Sequence, residues 1–332
     1  MAIPLDMERF RFGPEASSGV RGKRFLITGA GKHGGLGQAF AFGAGLNGAA
    51  SVGIHFHRSY NDGLETVEAI EKAGGAAFPV QADVTNPGDV WATRGHVIRQ
   101  LGEQLPDVLI CNSGLSERGY LLGRAPKEVE GESVALRRAR ARQAFVDNLA
   151  DTRDVVDTKL DGFLNMTHLW AGEATHAKRP LQIVYVSSRQ ALDPGAGVPG
   201  YVAANWAVLA LPKILQVNLG KSADLVTSFS IALPFVRTGM TAEYAENPKV
   251  FGRWQPRMLE PHEAALALLE LLARPAADVT GRTFELNVAA DEAAGPGGVA
   301  VTWAEARLSF ERAPLEWSAA KPLRFAPPPA QT

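Results

Sequence analysis

Ser188 ends a short apolar run, Ile183-Val184-Tyr185-Val186, and Tyr201 opens an alanine-rich segment after a loop rich in glycine and proline. This pattern predicts a buried strand, a turn and a helix. It places a hydroxyl at a strand end and a phenol at a helix start, and strand ends of open α/β sheets are where ligands bind. A phenol with an ordinary pKa of about 10 is a proton donor at neutral pH. A serine hydroxyl can donate to a carbonyl oxygen on which charge develops. Asn205 stands one helical turn beyond Tyr201, on the same face.

A second group of residues suits a phosphate. The stretch Thr28-Gly29-Ala30-Gly31-Lys32-His33-Gly34-Gly35-Leu36-Gly37 follows an apolar run, Arg24–Thr28, and precedes a helical run, Gln38–Leu46. Glycines let the backbone approach a pyrophosphate, and a helix N-terminus adds N–H donors and a positive dipole end. Gly29, Gly31, Gly35, Leu36 and Gly37 are therefore candidate cofactor-binding residues. A dinucleotide-binding strand that favours NAD ends in a carboxylate, whereas Ser51–Phe56 here runs into His57-Arg58-Ser59. Arg58 and Ser59 suit a 2′-phosphate, with Lys32 adding charge, so NADP(H) is expected in preference to NAD(H).

The elements that must hold these groups alternate. Strands are expected at Arg24–Thr28, Ser51–Phe56, Ala76–Val80, Val108–Asn112 and Val226–Leu233, with a last one at Arg282–Val288. Helices are expected at Asp62–Ala73, Pro87–Leu101, Thr152–Glu173 and Pro261–Leu272. That alternation implies an α/β fold, a doubly wound parallel sheet of Rossmann type covered on both faces. Residues 1–22 read as a polar N-terminal extension over the surface, 23–289 as the Rossmann-type domain and 290–332 as a partly disordered C-terminal tail. Within the domain, 115–148 reads as an insertion and 234–260, with Phe251 and Trp254, as a substrate lid. The insertion carries a basic helical run, Val134–Phe145. It is either a solvated helix over the sheet edge or a patch that receives an acidic carrier or a phosphate.

The Ser188–Tyr201 stretch resembles the active-site segment of the short-chain dehydrogenase/reductases. Most members place a Lys one turn after the Tyr, where this chain has Asn205. The ketoreductase branch of polyketide synthases shares Tyr-x-x-x-Asn and carries the Lys on the preceding long helix. Here Asp157-Thr158-Lys159-Leu160-Asp161-Gly162-Phe163 resembles the family's V-N-L-x-G-x-F, with Lys159 where the Asn stands. The resemblance implies a sheet of seven strands. It implies that Ser188, Tyr201, Lys159 and Asn205 are catalytic: Tyr201 the acid, Lys159 lowering its pKa, Ser188 binding the carbonyl oxygen, and Asn205 orienting Lys159 or a water. It also implies that Asp83 accepts from the adenine amino group beside Val84, that Asn112-Ser113-Gly114 underlies the cofactor, and that Thr238 touches it.

The expected activity is NADPH-dependent reduction of a ketone to a secondary alcohol, on a 3-oxoacyl thioester or a polyketide or fatty-acyl carbonyl. The substrate is small or carrier-bound, and the partner an acyl carrier protein, a larger synthase assembly or a second copy in a homo-oligomer. An alcohol or sugar dehydrogenase working oxidatively and a non-catalytic NADP(H)-binding regulator or scaffold are the alternatives. With 332 residues, 46% hydrophobic, and a net charge of −1, nothing argues for nucleic acid or membrane partners. The single cysteine, Cys111, forms no intrachain disulfide and reads as a small buried hydrophobe. His55 and His57 are expected to space along one strand face without a metal, and no zinc-like cluster occurs. The charged N-terminus is not signal-like and no run of eighteen apolar residues occurs, so a cytoplasmic protein is expected.

Overall fold

The computed structural model describes residues 4–117, 129–194 and 197–308. The chain enters through a short helical turn and α1 (Pro14–Ser17) before β1 (Arg24–Ile27), α2 (Leu36–Gly45) and β2 (Ser51–Phe56). It continues through α3 (Tyr60–Lys72), β3 (Ala77–Gln81), α4 (Pro87–Gln100) and β4 (Val108–Cys111). After α5 (Val134–Val156), a π turn and α6 (Gly162–Ala177) come β5 (Leu181–Ser188), α7 (Pro199–Leu219) and β6 (Val226–Leu233). The short α8 (Pro248–Phe251), then α9 (Pro261–Leu272), α10 (Ala276–Val279), β7 (Arg282–Ala290) and β8 (Val299–Glu305) complete it.

Among the described residues one 8-stranded sheet runs in the order β3-β2-β1-β4-β5-β6-β7-β8, parallel except at β8. The order reverses between β1 and β4, and in such sheets ligands bind outside the strand ends at that switch point. Successive strand residues point to opposite faces. Phe25 and Ile27 enter one core with Phe40, Ile54 and Leu268, while Leu26 enters the other with Phe163, Trp170 and Val208. Both faces are therefore buried, as a sheet built from crossover units requires.

Three expectations change. The stretch after residue 290 is not all tail: Val299–Glu305 pairs antiparallel with β7, and Trp303 anchors it by donating to the Ala267 carbonyl at 3.0 Å. Among the described residues the sheet thus has eight strands, not seven; residues 309–332 lie outside them. Second, the basic run and the next helix are not separate elements. α5 continues through Asp157–Asp161, a π turn, directly into α6. Among the described residues the basic run keeps its arginines at the surface, with Arg140 paired to Glu132 at 2.7 Å. Third, the N-terminal extension is not merely superficial. Phe10 is a core residue packed edge-on against Phe42, and the Asn47 amide ties it down by donating to the Phe10 carbonyl at 2.7 Å.

α7 and its following turn are long and apolar enough by composition to cross a membrane. One face nonetheless packs on β5 and β6 through Ala204, Val208 and Leu209. Pro212 removes a helical N–H, which would leave the Val208 carbonyl without its partner. The Ser230 hydroxyl supplies one at 3.2 Å, and Thr283 donates to the Leu209 carbonyl at 3.0 Å.

Candidate active site

The glycine turn sits at the carboxyl end of β1, braced from β4 and β2. The Thr28 hydroxyl accepts from the Asn112 and Ser113 amides at 2.8 and 3.1 Å. The Asn112 side chain in turn donates to the Thr28 carbonyl at 3.0 Å. Gly29 holds a positive φ of 66° against Ser113, a conformation that favours glycine. At Gly37 a Cβ would stand 2.3 Å from the Gly29 carbonyl oxygen, so only glycine lets α2 start this close to the strand. Gly31 lies against Phe56, and Gly35 is the N-cap of α2 with no side chain capping it, leaving Leu36 and Gly37 as the opening residues. An uncapped helix start of this kind suits a phosphate. His55 supports the turn from below: its Nδ1 accepts from the Gly29 amide at 3.3 Å and its carbonyl from Ala30 at 2.8 Å. Burial holds His55 down at about 4, so the ring is neutral and free to accept. Only His55 is enclosed; His57 lies beyond the strand and is exposed, so the two do not share a face environment.

Arg58 is exposed at the end of β2, and Ser59 is the N-cap of α3 with its hydroxyl unused as a cap. Asp83 is partly occupied, accepting from the Thr85 amide and hydroxyl at 2.9 and 2.8 Å. Burial works against its ionisation, but these donors with His57 and Arg58 outweigh it and hold the carboxyl below its usual range. Val84 is buried and presses on the helix start at Gly162, where a Cβ would lie 2.7 Å from its Cγ2. Thr238 is buried in a turn whose next residue, Gly239, donates to the Gly34 carbonyl at 3.2 Å. That contact brings Thr238 to the glycine turn.

The remaining groups converge from three elements. Ser188 ends β5 and Tyr201 is the third residue of α7, which brings the Ser188 hydroxyl beside the phenol. Burial pushes the Tyr201 phenol above its ordinary value and the Ser188 hydroxyl partly offsets it. The phenol is therefore held protonated, and burial rather than Lys159 sets the direction of its shift. Lys159 sits in the π turn, 6% exposed, with its ammonium 4.7 Å from the Phe163 ring centroid and beside Gly114. Among the described residues no carboxylate pairs it. Burial lowers it to about 7, opposed by the Cys111 sulfur. Burial also drives the Cys111 thiol well upward, so this cysteine is no nucleophile. Asn205 donates to the Tyr201 carbonyl at 2.9 Å, and its Oδ1, which could accept from an ammonium, is buried with no partner among the described residues. An orphaned acceptor near a strand end and an unpaired buried cation leave room for hydroxyl-bearing groups from outside the chain.

The strap 234–260 is stapled over the same edge. The Gln255 side chain bonds both the amide and the carbonyl of Phe235 at 2.8 Å, and Phe235 stacks on Trp254 with centroids 5.7 Å apart. Trp254 donates from Nε1 to Asp193 at 2.5 Å, and Arg189, next to Ser188, donates to the Trp254 carbonyl at 3.3 Å. The spacing of residues gives no sign of the staple from Gln255 to Phe235 or of the support that His55 lends the Gly29 amide. Each is a single residue whose partner is distant in sequence.

The family model for short chain dehydrogenases matches residues 23–249, which span the glycine turn, Lys159, Ser188 and Tyr201. The chain belongs to the short-chain dehydrogenase family. It is an oxidoreductase of a family that binds a nicotinamide cofactor. The 3-oxoacyl-(acyl-carrier-protein) reductase of Staphylococcus aureus is 25% identical over 268 residues, covering 80% of this chain and 96% of that one. 3beta-hydroxysteroid dehydrogenase 1 of Eggerthella lenta is 28% identical over 275 residues, covering 80% and 92%. Among solved structures, angucycline C-6 ketoreductase LanV with bound NADP superposes with a TM-score of 0.61 at 23% identity, covering 80% and 95%. A 7 alpha-hydroxysteroid dehydrogenase complexed with NADH and 7-oxo glycochenodeoxycholic acid reaches 0.63 at 22%, covering 82% and 96%. At these identities the two structures speak for the fold alone.

Proposed function

We propose that this short-chain dehydrogenase is an NADPH-dependent ketoreductase acting on a 3-oxoacyl thioester or a related polyketide-type carbonyl. One observation carries the reading: a half-buried Tyr201 at the start of α7 beside Ser188 at the end of β5, on the carboxyl edge of the sheet, with its phenol pushed up by burial and thus protonated. The first glycines, Asn112, Gly114 and Thr238 would hold the cofactor, and Arg58 with Ser59 its 2′-phosphate. When bound, the cofactor supplies a hydride. Ser188 orients the carbonyl oxygen and stabilises charge on it, and Tyr201 gives that oxygen its proton. Lys159 returns a proton toward the phenol, and its value of about 7 suits that exchange near neutrality. The Asn205 Oδ1 acceptor would hold the ammonium or a water of that path. The reductase of Staphylococcus aureus supports the thioester class, and the NADP held by LanV supports the cofactor.

The exposed arginines of α5 would meet an acidic carrier, and the exposed Phe145 and Val217 support a homo-oligomer. The hydroxysteroid relatives keep the oxidative alternative in play. A turnover screen decides. Short 3-oxoacyl thioesters and simple ketones are offered with NADPH or NADH, and sugars and alcohols with NADP⁺ or NAD⁺. NADPH-dependent loss of the thioester carbonyl is the expected result. Faster oxidation of an alcohol or sugar would favour the alternative, and NADPH binding without any turnover would favour a regulator.

A further inference from the structure

Glu117 lies three residues past Gly114, on the connection leaving β4, and its carboxylate is buried at 8% exposure. One oxygen accepts from the Gly200 amide at 2.6 Å and the Thr152 hydroxyl at 3.1 Å. The other accepts from the Tyr201 amide at 2.8 Å. Pro199 opens α7 and has no N–H, so this carboxylate takes the first two amide donors of the helix that carries the phenol. The space is closed: a Cβ on Gly200 would stand 2.8 Å from the carboxylate and 2.9 Å from Thr152 Cγ2.

A helix start is ordinarily capped from its own N-cap residue, which costs little and satisfies the same donors. Here the N-cap is Val198, which caps nothing, and the acceptor comes from a distant loop. Burying a carboxylate is unfavourable unless its bonds are well made, so the arrangement gains something a local cap would not. It gains a link. Thr152 is two turns ahead of Lys159 on α5, so a single side chain joins the strand end below the cofactor site, the helix leading to Lys159 and the helix bearing Tyr201.

We propose that Glu117 is a positioning residue that sets the Tyr201 phenol against Ser188 and Lys159 without touching the reacting atoms. This rests on the reading of Tyr201 as the acid. The test compares Glu117→Ala, Glu117→Gln, Thr152→Val and Tyr201→Phe with the full-length wild type. It measures kcat and KM on the best carbonyl of the screen, NADPH affinity by fluorescence, and amide exchange over residues 198–205. Misplacing a reacting group by about 1 Å can cost on the order of 100-fold in rate. Glu117→Ala is therefore expected to lose about 30-fold in kcat, with KM and NADPH affinity within about twofold. Exchange over 198–205 rises while the glycine-turn peptides stay protected. Glu117→Gln, which keeps one acceptor, recovers most of the rate, and Thr152→Val loses only a few-fold.

Unchanged exchange at 198–205 or an unchanged kcat in Glu117→Ala overturns the inference. So does loss of NADPH affinity and protection throughout the chain, in Glu117→Ala or, should that variant not fold, in Glu117→Gln. An active Tyr201→Phe would instead sink the reading of the acid; an inactive one beside a fully active Glu117→Ala sinks only the positioning role.

Discussion

The glycine turn and the Ser188–Tyr201 region lie along the same edge of one sheet, yet they are built on opposite terms. In the turn, side chains brace the backbone: Thr28 with Asn112 and Ser113, His55 with Gly29, Gln38 with Gly34. Contacts are so close that a methyl group at Gly37 has no room. In the other region the polar groups are left wanting. Lys159 has no anionic partner among the described residues, the Asn205 Oδ1 has no donor, and the Tyr201 phenol is held above its ordinary value by burial. A cradle whose framework is braced before anything binds, with only its helix start left open, gives shape; a cluster of unpaired side chains gives reactivity at the expense of stability.

Lys159→Met sharpens that contrast most. Removing the ammonium is expected to lower turnover by about 100-fold while stabilising the cofactor-free chain. The sign follows from the titration. Burial lowers Lys159 to about 7 against an ordinary 10.5, so between those values the unfolded chain holds a proton that the folded chain has released. Wild-type stability then rises with pH across that window. The variant lacks this rise, so its gain in melting midpoint is larger at pH 6 than at pH 9. An equal gain at both, or a loss, would mean the lysine is not strained by burial.

The turn should behave in the opposite way. Gly37→Ala forces a methyl group into the Gly29 carbonyl and is expected to destabilise the fold by about 1–3 kcal/mol and to weaken NADPH binding. Chemical denaturation and a fluorescence titration read both. A smaller effect comes from the rim. Arg58→Asp is expected to reduce the preference for NADPH over NADH by about tenfold, the order of one charge-assisted phosphate contact. Equal weakening of the two cofactors would remove Arg58 from the 2′-phosphate.

Much of this architecture is legible in the chain. Ser51–Phe56, Val226–Leu233 and Pro261–Leu272 form over the expected residues, because each is an apolar run with glycine, proline or polar residues at its ends. Ser188, Tyr201 and the glycines are readable because their neighbours are local. The misses share one physical cause. α5 carries no apolar stripe, its buried residue being Val155 alone, so its union with α6 through the π turn leaves no periodic trace. β8 is mostly exposed and is held by Trp303 reaching α9. Glu117 is one carboxylate in a loop, and its meaning lies in Gly200 and Thr152, far along the chain. Likewise, the raised phenol of Tyr201 depends on enclosure, which spacing does not encode.

The proton donor itself is tested most directly by Tyr201→Phe. Reduction of a short 3-oxoacyl thioester is followed at saturating NADPH, with cofactor affinity measured in the same preparation. A fall in kcat of about 100-fold or more, with NADPH affinity unchanged, is the expected result. Turnover close to that of the wild type would contradict it.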